Sequence, residues 1–143
     1  MALTLSARNG SKKAIMAALL LAAFGVAGAK DIAVKLTGDQ EVPAVVSSAS
    51  GEGTISIKKD KSVSGSIKTT GIEGTMAHIH LAAPGKNGPG IITLLKTGDN
   101  VWSVPEGSKL TDAQYQSFKD GDLYVNVHSA EHKSGEIRTQ LKP

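Results

Sequence analysis

The sequence predicts an all-β domain, a Greek-key β-sandwich or barrel of about 7–8 antiparallel strands with one short helix at about 111–120. Two observations carry this. Segments with apolar residues at every second position recur along the chain, separated by glycine, proline, asparagine and aspartate. A single segment departs from that period and carries helix start and stop signals.

I-A-V-K-L-T (32–37) alternates Ile32, Val34 and Leu36 with polar or small residues. Gln40 to Gly51 reads as a surface loop or irregular edge strand, because Pro43 cannot donate to a ladder. G-T-I-S-I-K (53–58) and S-V-S-G-S-I-K (62–68) flank K-D-K as a hairpin. M-A-H-I-H-L (76–81) is the next strand, followed by the turn-rich P-G-K-N-G-P-G and by G-I-I-T-L-L-K (90–96). V-W-S-V (101–104) is a short strand ending at Pro105. The helix follows, with Thr111 as N-cap, Gln114 completing a capping box and Gly121 ending it. Leu110, Gln114 and Phe118 share its inner face beside Tyr115. D-L-Y-V-N-V-H (122–128) and G-E-I-R-T-Q-L (135–141) form a second hairpin.

The first 29 residues stand apart. Arg8, Lys12 and Lys13 precede the apolar run 14–27, and A-G-A (27–29) supplies small residues for cleavage, the pattern of a secretory signal peptide. The run is shorter than the about 20 residues that a membrane span needs. The expected product is one domain, 30–143, secreted or periplasmic after cleavage near Ala29. The chain has 16 Lys+Arg and 13 Asp+Glu, and the three basic residues of the leader account for the difference. Without a basic excess, and with Trp102, Tyr115, Phe118 and Tyr124 its only aromatics, the domain offers nucleic acid neither a phosphate-binding surface nor a stacking platform.

With no cysteine in the chain, metal chemistry rests on histidine and carboxylate. In strand 76–81, Ala77, Ile79 and Leu81 face one side, and Met76, His78 and His80 the other. In 122–128, Leu123, Val125 and Val127 face the core, and Tyr124, Asn126 and His128 face away. All three histidines thus lie opposite the apolar face of their own strand. His-x-His on a strand suits two ligands to one ion, and a third histidine from a neighbour completes a three-histidine site with an open position. Three imidazoles favour copper, with zinc second. A hairpin register with His128 opposite Glu136 places Asn126 opposite Arg138. Glu136 could then accept the spare N–H of His128, with Asn126 and Arg138 as further outer partners of the metal site. His132, in the hairpin loop, is a candidate fourth ligand. The bland alternative is a pair of solvated or hydrogen-bonded imidazoles with no metal, and Glu136 and Arg138 as a surface pair. Asp39 and Glu41 lack the spacing of paired acid/base catalysts, P-G-K-N-G-P-G does not fit a phosphate loop, and no G-x-S-x-G is present.

L-T-G-D-Q-E-V-P-A-V (36–45), G-E-G-T-I-S-I (51–57), A-H-I-H-L-A-A-P-G-K-N-G-P (77–89), L-T-D-A-Q (110–114), G-D-L-Y-V-N-V-H-S (121–129) and G-E-I-R-T-Q-L (135–141) together resemble a CHRD domain. This is the module named from chordin and widespread in secreted bacterial proteins. Thr139, Lys133 and Ser129 depart from the family's usual residues; none is one of the three histidines. The family's H-x-H, N-V-H and G-E-I-R motifs fall on His78, His80, His128 and Glu136 to Arg138. The resemblance implies no settled activity for a stand-alone member. A looser likeness is to copper/zinc superoxide dismutase, whose copper site begins with H-x-H on a strand, although histidines are too few and the disulfide is lacking. The function expected is therefore transition-metal binding, copper foremost, through His78, His80 and His128. The alternatives are a metal-free structural or protein-binding module of the cell envelope or matrix and, more weakly, a dismutase-like enzyme with Arg138 steering an anion.

Overall fold

The structure, a computed structural model, describes residues 28–143. Positions 1–27 of the expected leader lie outside the described residues.

Among the described residues, nine strands form one antiparallel sheet: β1 (Ala29–Thr37), β2 (Ser50–Lys58), β3 (Val63–Thr70), β4 (Gly74–Leu81), β5 (Gly90–Thr93), β6 (Leu95–Gly98), β7 (Val101–Ser103), β8 (Leu123–Ser129) and β9 (Ile137–Leu141). Their order is β5-β4-β8-β9-β1-β2-β3-β7-β6. The two ends of that order are neighbours in the chain. Only Leu94 separates β5 from β6, and its N–H donates to the Ala77 carbonyl at 2.9 Å. One stretch thus pairs with β4 through its first half and with β7 through its second, and the sheet nearly closes into a barrel. This division makes the strand count nine, where 90–96 reads in sequence as a single strand.

The apolar parity fills the barrel. Ile32, Val34 and Leu36 of β1, Ile55 and Ile57 of β2, Ala77 and Ile79 of β4, and Leu123, Val125 and Val127 of β8 are all buried in one core. Trp102 and Phe118 join them from β7 and from helix α1 (Asp112–Asp120). The capping box is complete: Thr111 Oγ1 accepts from the Gln114 N–H, and the Gln114 side chain accepts from the Thr111 N–H. Gly121 ends the helix at φ 83°, a left-handed conformation that glycine adopts without steric cost.

Between β1 and β9 the ladder is reduced to one pair, Thr37 with Arg138. Gln40, at the end of a one-turn 3₁₀ helix (Gly38–Gln40), is the physical reason. Its side-chain amide donates to the Lys35 carbonyl and to Thr37 Oγ1 on β1 and accepts from Thr139 Oγ1 on β9. A side chain thus occupies the place of a ladder rung.

Candidate metal centre

β4 and β8 lie side by side with Met76 opposite His128, His78 opposite Asn126 and His80 opposite Tyr124. Because the interior positions of both strands are apolar, the three imidazoles share the outer face, and His128 sits diagonal to His78. One nitrogen from each of His78, His80 and His128 lies within 4.8 Å of the others. The ring centroids are 4.9 to 5.9 Å apart.

Each ring is oriented by a partner outside the trio or by another ring. His128 Nδ1–H donates to the Lys133 carbonyl at 2.8 Å, which leaves Nε2 as an acceptor. His78 Nδ1–H donates to that nitrogen at 3.0 Å. The shared proton lies between two potential ligand atoms, and His78 can vacate the place by moving to its other neutral tautomer. His80 faces an oxygen acceptor at each ring nitrogen, the Gly88 carbonyl at Nδ1 and Asn126 Oδ1 at Nε2, both at 2.9 Å, and a neutral ring donates to one of them at a time. Burial, before any other cause, holds His78 and His80 below the ordinary imidazole range. Both are therefore neutral at pH 7, the form that a metal ligand requires.

Asn126 is the expected outer partner that touches a histidine of the trio. The ladder pairs it with Arg138 in the expected register, yet two expected roles are overturned. Glu136 does not receive the His128 proton. Its N–H donates to the Val127 carbonyl, which already faces Ile137, so two residues oppose one and Glu136 leaves the ladder's alternation. Its carboxylate instead accepts from Ser129 Oγ at 2.8 Å and Ser47 Oγ at 3.0 Å, tying the 41–49 loop to the hairpin. Arg138 is neither a surface residue nor free to steer an anion. It is 2% exposed, with its guanidinium carbon 3.4 Å from the centroid of the Tyr124 ring. It donates to Asn87 Oδ1 at 3.0 Å and to the Lys86 carbonyl at 2.8 Å. The other face of Tyr124 stacks on His80 at 4.6 Å, nearly parallel. A guanidinium, a phenol and an imidazole thus form a three-layer stack under the loop 82–89. His132 lies outside the cluster.

The loop is consequently a fixed rim. Arg138→Met removes the planar donors that hold Asn87 and Lys86, and should cost about 3 kcal/mol. Arg138→Lys should not restore the loss, because an ammonium can neither fork nor stack as guanidinium does. Thermal melts, with hydrogen exchange at 82–89, check both.

Three contributors escaped the sequence reading. Tyr124 was placed on the outer face, but its stacking follows only once β4 is known to pair with β8. The Lys133 carbonyl is a backbone group with no side-chain signal. Glu41 lies in what reads as a surface loop, yet it is 6% exposed and accepts from Asn126 Nδ2 at 3.3 Å. Burial pushes its carboxyl up to about 7, against the lowering influence of Asn126 and Arg138. A raised folded-state pKa means that the folded chain holds this proton more tightly than the unfolded chain. Glu41 therefore makes the fold progressively less stable as pH rises from 4.5 to about 7. At pH 8, Glu41→Gln should be more stable than the parent by up to about 3 kcal/mol, and the difference should vanish near pH 4. Denaturation at the two pH values measures it.

Among the described residues, no helix is long and apolar enough to cross a membrane. The family model for the CHRD domain matches residues 32–141. No curated protein and no solved structure matches the chain.

Proposed function

Since the chain belongs to the CHRD family, we propose that it is an exported CHRD-domain protein that binds a transition-metal ion, copper foremost and zinc second, through His78, His80 and His128. The observation that carries this reading is the convergence of three imidazole nitrogens within 4.8 Å of one another. The outer partners add support. His128 and His80 each face a backbone carbonyl with Nδ1, the usual way a ligating histidine is oriented toward its ion, and His80 Nε2 would exchange Asn126 Oδ1 for the ion. An all-imidazole set with no thiolate follows the order of intrinsic affinity, in which copper exceeds zinc. Export is supported by the basic, apolar and small-residue succession of residues 8–29.

One observation favours a second reading, a metal-free module of the envelope or matrix. The His78–His128 contact at 3.0 Å already satisfies both nitrogens without an ion. Titration with Cu(II) and Zn(II), followed by calorimetry and thermal shift, separates the two. Copper binding tighter than about 1 μM, with a melting point that rises with ligand, supports the metal site. Binding weaker than this for both ions supports the module. The dismutase-like alternative loses its proposed steering group, because the Arg138 guanidinium is buried and engaged.

A further inference from the structure

The seam between β1 and β9 lies apart from the three histidines, and it breaks an otherwise paired barrel. Pairing stops after Thr37 and Arg138 because the Gln40 side chain is wedged there. Beyond the wedge the two strands face one another across a groove of about 670 Å³, whose lining includes Ile32, Ala33, Lys35, Thr139 and Gln140. Lys35 directs its carbonyl at Gln40, so the seam-facing backbone groups of β1 are those of Lys35 and, by alternation, of Ala33 and Asp31. The opposite edge of β1 is fully paired with β2 from Ala29 to Thr37. An edge with unpaired amides and carbonyls is a template for another extended chain.

The charge around the groove selects the kind of chain. Lys30, Lys35 and Lys142 line it, all exposed, and Asp31 is the one acidic side chain among the described residues of the lining. Asp31 is itself bonded to Ser56 on β2. Arg138 also lines the groove, with Nη1 donating to Asn87 and Nη2 to the Lys86 carbonyl and Gln140. Gln40 shows the chemistry in miniature, since its amide donates to one strand and accepts from the other, as a backbone peptide unit would.

We propose that this seam is a docking site for an extended acidic peptide segment of a partner protein, which adds to the β1 edge as a strand and sets its carboxylates against Lys35 and Lys142, on the outer face. Main-chain hydrogen bonds supply the pairing, and the lysines select an acidic sequence. The site is independent of the metal reading and uses none of the three histidines.

The test measures fluorescence anisotropy with the full chain and a short labelled peptide of alternating glutamate and valine. The expected result is a Kd of order 10 μM, weakening with salt, and no binding by the matching lysine–valine peptide. Lys35→Glu combined with Lys142→Glu should weaken binding at least ~10-fold. Ala33→Pro removes a seam-facing donor while sparing the β2 ladder, and should abolish binding. Should that variant fail to fold, the peptide N-methylated at alternate residues replaces it, and should not bind. Failure of the acidic peptide to bind, binding undiminished by the lysine reversals, or equal binding of the N-methylated peptide overturns the proposal. Self-association of the chain that the peptide does not displace assigns the seam to a second copy and overturns it as well.

Discussion

His128→Ala is expected to lower copper affinity by more than ~100-fold, beyond the 10–100-fold range typical of outer partners of a metal. The substitution removes the one ligand contributed by β8, which is also the ring whose Nε2 lies 3.0 Å from His78. His78→Ala should match it in size. Because His78 is only half-buried, that variant keeps the fold and separates ligand loss from unfolding. His132→Ala serves as the control. His132 lies in the loop that follows β8, outside the cluster, and the variant's affinity should equal the parent's. Calorimetry on the four proteins decides the matter. Equal affinities for parent, His78→Ala and His128→Ala would place any bound copper elsewhere.

The second large effect needs no metal. Gly135 adopts φ 128° in the turn between β8 and β9, a conformation that L side chains rarely adopt. A Cβ added there would overlap Asn126 Nδ2 and Glu41 Oε1. Gly135→Ala therefore combines backbone strain with crowding of a buried carboxylate–amide contact, and should cost about 3–5 kcal/mol. For a domain of this size the melting point should fall by roughly 10 °C or more. Through Asn126 the disturbance reaches His80, so copper affinity should fall too. Gly85 and Gly107, also at positive φ, have open space where a Cβ would stand. Alanine at either should cost only the backbone term, about 1 kcal/mol. Thermal denaturation of the three variants separates crowding from strain.

The legible part of this molecule is the part written in alternation. Ala77 and Ile79, like Val125 and Val127, could be assigned to the core because a period of two leaves no other face for a run of apolar residues. The histidines followed by parity. The register of Asn126 with Arg138 was legible because a short hairpin restricts how its strands can slide. Thr111 and Gln114 named their own helix start through chemistry that is local. What could not be read depends on segments far apart in sequence. Glu41 is buried by the hairpin around Gly135, and Arg138 finds its acceptors in the loop at Lys86 and Asn87. The Glu136 misassignment has the same origin. Alternation predicts its direction only while the ladder lasts, and a second residue facing Val127 ends that rule one position too early. The β1–β9 seam was hidden likewise, since nothing in Gln40 announces that an amide side chain will stand in for a strand.

The unequal closure of the barrel has a consequence for the order in which it assembles. On one side, β5 turns back on β4 and β6 on β7, and Leu94 joins these two hairpins, so little chain entropy is lost in shutting that wall. On the other side, Gln40 meets Thr139 across 99 residues, and few rungs reward the meeting. The local hairpins should form early and the terminal strands should dock last. Folding should be slow for the length of the chain, because pairings such as β4 with β8 and β1 with β9 raise the mean sequence separation of its contacts.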